Sequence, residues 1–138
     1  MQVQPYLNFN GRCEEALAFY GKVLGAKTER LMRFKDSPDP SMVSPGSENK
    51  VMHSSFRVGD AVVLASDGRC QGETNFQGIS LSLSLANEAE ADKRFAALAD
   101  GGKVGMPLGK TFFSSRFGVV TDRFGVTWMV IVMQASAA

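Results

Sequence analysis

The chain is short of the residues from which metal clusters are built. Its 138 residues include one histidine, His53, and two cysteines, Cys13 and Cys70. That supply excludes a zinc finger or any other Cys/His cluster. The start, MQVQPYLNF, lacks a basic region followed by a long apolar stretch, so it does not read as a secretory signal. Two cysteines without an export signal read as reduced thiols in a cytoplasmic protein. No apolar run approaches the roughly 18 residues that a membrane-spanning helix needs. An excess of either charge is also missing. Fifteen basic and 14 acidic residues leave a formal charge of +1, which argues against the basic face that nucleic acid requires. The length suits one domain, residues 1–138, that buries about two-thirds of its unfolded surface without staples.

What is present is a strong alternation of element types. VQPYLNF is a short extended run in which Pro5 suits a strand start or an edge. Asn10 is placed to cap a helix over GRCEEALAFYGKVLG, with Glu14 and Glu15 in the first turn, where the helix dipole favours acids. Ala16, Tyr20 and Val23 recur at helical spacing, and Gly25 closes the helix. KTERLMRF follows as a strand. KDSPDPSMVSPGSEN is a long loop without periodicity, of the kind that is either a lid or a disordered segment. Its Met42-Val43 pair is expected to dock over a cavity mouth. VMHSSFRV and AVVLAS then form a hairpin around Gly59-Asp60, which pairs Val58 with Ala61, Arg57 with Val62, Ser55 with Leu64 and His53 with Ser66.

The second half repeats this order. GISLSLSL alternates strictly, with Ser80, Ser82 and Ser84 on one face and leucines on the other. Asn87 is placed to cap a helix over EAEADKRFAALADGG. KVGMPL, TFFSSRFGVVT and VTWMVIVM read as three strands, with a turn at DRFG. Shifting the chain by 76 residues superposes Glu14 on Glu90, Phe19 on Phe95, Gly25 on Gly101 and Lys27 on Lys103. Each half is thus a βαβββ module, the first about 1–70 and the second about 76–134.

The stretches PYLNFNGRCEEALAFYGKVLGA, MHSSFRVGDAVVLASD and RFGVVTDRFGVTWMV resemble the vicinal-oxygen-chelate superfamily, which includes glyoxalase I, bleomycin-resistance proteins and extradiol dioxygenases. Within it the chain is most similar to the PhnB-like branch, over nearly its whole length. The resemblance implies an α+β fold of two βαβββ modules in an open, curved mixed sheet. It puts the helices on the convex side, a ligand cavity on the concave side, and two chains in a homodimer. The metalloenzymes of the superfamily hold a divalent ion with four His, Glu or Gln side chains. Their positions fall here on or beside Pro5, and on Leu64, Ser80 and Met129, none of which is a credible ligand. No metal and no cofactor is therefore expected. Some members of the branch carry a name that points to a ubiquinone-pathway methyltransferase, yet no Gly-rich strand-to-helix turn for a nucleotide cofactor occurs in this chain.

Leu64 aligns with a cavity position, so strand parity sends His53, Ser55 and Arg57 to the concave face as well. There His53 and Arg57 would act as polar anchors, with histidine titrating near neutrality and arginine suited to a carboxylate or phosphate. The alternative for His53 is a satisfied polar residue on a wet sheet. Ser80 and Ser82 would hydrogen-bond a ligand, Met129 would give a soft wall, and Phe113 and Arg116 would stack on it and pair with it. The bland alternatives are a wet sheet face, core filling, and an aromatic strand with a surface arginine. Cys13 reads as a packing residue in the first helical turn. The leading function is binding of a small organic molecule without a metal. The alternatives are an enzyme, either with His53 as acid–base group or a lyase, isomerase or dioxygenase-like enzyme with a degenerate or misaligned metal site, and a dimeric structural or interaction protein without a ligand.

Overall fold

The computed structural model describes residues 1–68, 70 and 72–133. They form two compact units, Met1–Thr74 and Asn75–Ala138. The expected module bounds, about 1–70 and 76–134, also take in Arg69 and Gln134, which lie outside the described residues.

In the first unit, β1 (Tyr6–Asn8), α1 (Cys13–Leu24), β2 (Lys27–Arg33), β3 (Val51–Val58) and β4 (Ala61–Ser66) follow in order. The sheet order is β1-β4-β3-β2, with β1 parallel to β4 and the other pairs antiparallel. The hairpin has the expected register, with Val58 across from Ala61, Arg57 from Val62 and Ser55 from Leu64. Helix α1 packs on β3 and β2. Its Tyr20 ring stacks on Phe56 at 5.6 Å and tilts against Phe9 at 6.2 Å, and all three are buried. Each such ring contributes about 1.5–3 kcal/mol by leaving water.

The expected Asn10 cap is corrected. Asn10 adopts φ 50°, in the left-handed region, whereas an N-cap needs extended backbone, and its amide instead donates to the Glu73 carbonyl at 3.1 Å. A remote residue does the capping. Asp67, just past β4, is buried and accepts from the N–H groups of Gly11 and Cys13 through Oδ1, and of Val51 through Oδ2. One carboxylate therefore ties the ends of β4, α1 and β3 together.

In the second unit, β5 (Ser80–Leu85), α2 (Glu88–Ala99), β6 (Lys103–Gly109), β7 (Phe117–Thr121) and β8 (Thr127–Val132) form a sheet of order β5-β8-β7-β6. Here the local cap holds, with Asn87 Oδ1 accepting from Glu90 N at 2.9 Å. Trp128, Val130 and Val132 are buried on the helix side, and Met129 belongs to the other face, as the alternation predicts. Gly118 lets α2 approach, because a Cβ there would lie 2.8 Å from the Phe95 ring. Strand β7 is shorter than TFFSSRFGVVT suggests. Thr111 and Ser114 close a turn on each other, and the buried Ser114 hydroxyl bridges the Arg116 and Val132 carbonyls, so extended pairing starts only at Phe117.

The repeat also shifts by one residue inside the helices. Buried Ala16, Tyr20 and Val23 correspond to Ala91, Phe95 and Leu98, so Tyr20 rather than Phe19 matches Phe95. The extra residue is Asp100, the extended C-cap of α2, which precedes Gly101. In α1 the left-handed Gly25 is itself the C-cap.

Candidate functional site

In the first unit, one sheet face is covered by α1 and the other collects polar side chains. Ser54, Phe56 and Ala65 lie on the helix side, where Ser54 Oγ is 3.8 Å from Cys13 Sγ and donates to the Ala65 carbonyl. Strand alternation then puts His53, Ser55 and Arg57 on the face away from α1, with Val62, Leu64 and Ser66 on β4. Strand β1 adds two residues that the sequence did not single out. Tyr6 stands across from Leu64 and Asn8 from Ser66, whose hydroxyl donates to Asn8 Oδ1 at 2.9 Å. The Tyr6 hydroxyl lies 3.3 Å from His53 Nδ1, and the two rings are 5.8 Å apart. A tyrosine in a three-residue strand carried no motif; only the β1–β4 pairing brings it to the histidine.

Arg57 is not isolated, since its Nε lies 3.2 Å from Glu29 Oε2. Both side chains are about half exposed, so the pair contributes little to stability.

The second unit presents a corresponding face with other chemistry. Ser82 stands across from Met129, Ser80 from Thr127, Val119 from Met129 and Phe117 from Ile131. Phe113 meets Phe117 edge-on at 5.0 Å. Ser80, Ser82, Met129 and Phe113 thus gather around this face. Arg116 does not join them. Its guanidinium sits 3.3 Å from both Glu88 and Asp92 of α2, so its charge is committed to the helix.

The loop between β2 and β3 has more local order than its composition suggests. It forms short 3-10 turns at Phe34–Asp36 and Pro40–Met42. Its base is closed by Arg33, which bonds the Asn49 carbonyl and pairs with Glu14 of α1. That bond to Arg33 holds the Glu14 carboxyl below its ordinary range. Phe34, Met42, Ser47, Lys50 and Cys70 are among the residues lining a partly open pocket of about 490 Å³. Burial, and then the charge of Asp67, push the Cys70 thiol pKa up. The buried Cys13 thiol is pushed to about 12, chiefly by burial, and is no nucleophile near neutrality.

The strand pairing sharpens the question of a metal. Pro5 only accepts a backbone bond from Leu64 N; Tyr6 and Ser82 are the residues across from Leu64 and Met129. Phenol, alkyl, hydroxyl and thioether groups do not fit a divalent ion. Among the described residues no three His, Cys, Asp or Glu side chains come together as a metal site would require. Nor does either strand-to-helix turn suit a nucleotide cofactor: the first holds the single glycine Gly11 and the second, Ala86-Asn87, holds none.

Residues 1–131 match the sequence profile of the family described as 3-demethylubiquinone-9 3-methyltransferase. Protein YjdN of Escherichia coli is 31% identical over 142 residues, which cover 97% of each chain. The crystal structure of protein PA1353 from Pseudomonas aeruginosa is 43% identical with a TM-score of 0.86, covering 98% of this chain and 99% of that one. A putative 3-demethylubiquinone-9 3-methyltransferase, PhnB protein, from Bacillus cereus is 28% identical with a TM-score of 0.80, covering 96% and 99%. The fold extends to a glyoxalase/bleomycin resistance protein/dioxygenase family enzyme from Burkholderia phytofirmans, at 16% identity, a TM-score of 0.61 and 96% of each chain. No helix is long and apolar enough among the described residues to cross a membrane.

Proposed function

This chain belongs to the PhnB-like family described as 3-demethylubiquinone-9 3-methyltransferase, within the vicinal-oxygen-chelate superfamily, and from that premise we propose that it binds a small organic molecule without a metal ion. One observation carries this reading. The face of the first sheet away from α1 brings Tyr6, His53, Ser55 and Arg57 together, with Leu64 as an apolar floor. Such a mixture of a few directed polar groups on apolar support is what small-molecule recognition uses. Ser80, Ser82, Phe113 and Met129 offer hydroxyls and an adaptable apolar wall on the second sheet.

A thermal-shift screen of small carboxylates, phosphonates and aromatic compounds tests the reading. A ligand at 100 times its dissociation constant adds about 2.7 kcal/mol. Binding that survives His53→Ala and Tyr6→Phe unchanged would move the site off this face. Elemental analysis showing one transition metal per chain would replace the metal-free reading with a metalloenzyme.

The contact between Tyr6 and His53 favours a second reading, an enzyme in which His53 exchanges a proton and Tyr6 orients its ring. Turnover of any screened compound that is lost in His53→Ala and lowered but not lost in Tyr6→Ala would support it, and full activity in Tyr6→Ala would remove the orienting role. The two free thiols suit a reducing cytoplasm. Edge strands β2 and β6 expose Leu31, Met32, Val104 and Met106, which suits a homodimer. Sedimentation should give twice the 14.9 kDa chain mass, and a monomer at micromolar concentration would exclude the dimer.

A further inference from the structure

Strand β2 carries a bulge. Thr28 pairs with Phe56 and Arg30 with Ser55, leaving Glu29 as the extra residue. A bulge sets two successive residues against one partner and re-aims a side chain, so Glu29 and Arg30 both come to the face of Ser55 and Arg57. The bond from Arg57 Nε to Glu29 Oε2 at 3.2 Å agrees with that placement. Arg30 is exposed, and its side chain makes no ion pair or hydrogen bond among the described residues. Lys27 pairs directly across from Arg57. Three basic side chains thus share this face with one carboxylate, and that carboxylate is bound to one of them.

Resting on the reading that this face binds a small molecule, we propose that the ligand bears an oxyanion, which Arg30 anchors and which displaces Glu29 from Arg57. A guanidinium fork matches the oxygen spacing of carboxylate, phosphonate or phosphate. Glu29 is then an internal stand-in for the ligand's anion. It keeps Arg57 oriented while the face is empty, and exposure of the pair, 44% and 42%, makes it easy to part. The second module has a bulge at the matching place, between Val104 and Met106, but Gly105 and Met106 fill it. The oxyanion role therefore attaches to the first module alone.

The test is an NMR titration of the full chain with inorganic phosphate, benzoate and the neutral benzyl alcohol at constant ionic strength, following the Nε–Hε signals of Arg30 and Arg57 and the amides of Tyr6, His53 and Ser55. Phosphate or benzoate should shift the arginine signals saturably, and the tighter of the two identifies the oxyanion. Arg30→Met should weaken binding about tenfold or more, with Arg30→Lys in between. Glu29→Gln should tighten it about 2- to 5-fold by removing the competitor. Unchanged affinity in Arg30→Met, or weaker binding in Glu29→Gln, would overturn the proposal. Benzyl alcohol bound equally by wild type and Arg30→Met, with no response to either anion, would leave the small-molecule reading standing and remove the oxyanion. No response of this face to any of the three would remove both.

Discussion

The two modules share a framework and differ in what they hang on it. Strand register equates Tyr6 with Ser82, Ser55 with Val119, Arg57 with Thr121 and Leu64 with Met129. The first module's face is rich in charged and hydrogen-bonding side chains, while the second keeps one lysine, Lys103, and hydroxyls at Ser80, Ser82, Thr121 and Thr127 on an otherwise apolar face. The helix entries differ too. Helix α2 is capped by its own Asn87, but α1 depends on Asp67 from the far end of its sheet. A repeated backbone thus constrains the pleat and the bulge, while side chains on the face away from the helix diverge, because the helix does not pack against them.

The greatest loss should come from testing whether buried carboxylates hold both modules alike. Asp67 gathers three N–H groups, and Asp122 gathers those of Phe124, Val126 and the Trp128 indole. Asp67→Ala and Asp122→Ala should each lower stability in urea unfolding by about 3–5 kcal/mol, because each strands buried donors. A cost below about 1 kcal/mol for either would break the parallel.

Next comes alkaline pH, to which only the first module brings a buried helix thiol. Cys13 is raised from 9.0 to about 12 in the folded chain, so between those pH values the unfolded state has released a proton that the folded state retains. Stability is complete below pH 9 and should fall by about 1.4 kcal/mol per unit as pH rises toward 12. The difference between wild type and Cys13→Ala in pH-dependent melts isolates this slope; identical curves would mean that the thiol ionises without penalty.

A smaller effect sharpens the contrast between the two faces. His53→Ala should weaken a ligand from the screen about tenfold, or about 1.4 kcal/mol, whereas Met129→Ala should cost less than threefold. Calorimetric titration giving the reverse ranking would shift recognition to the second module. The smallest effect is at Phe112, which is 97% exposed at the tip of the turn before β7. Phe112→Ser should change stability by less than about 0.5 kcal/mol, and a larger loss in urea unfolding would reveal a packing role for that ring.

Features with a local cause are legible in the order of residues alone. Helical spacing at Ala16, Tyr20 and Val23, strict alternation in SLSLSL and the Gly59-Asp60 turn act within a few residues. The elements and the face of His53, Ser55 and Arg57 could therefore be read directly. Contacts between residues far apart along the chain become visible once the fold brings them together. Asp67 caps a helix 54 residues away, and Tyr6 meets His53 across 47. Arg116 turned to α2 because Glu88 and Asp92 lie there, a proximity that no pattern in TFFSSRFG encodes. The bulge at Glu29 is the sharpest case. In KTERLMRF, alternation alone sends Glu29 and Arg30 to opposite faces, and only the pairing of β2 with β3, which skips one residue, puts both beside Arg57. Periodicity records which side chains want burial, but a bulge is set by how two strands compete for the same hydrogen bonds, and that is settled only when they meet.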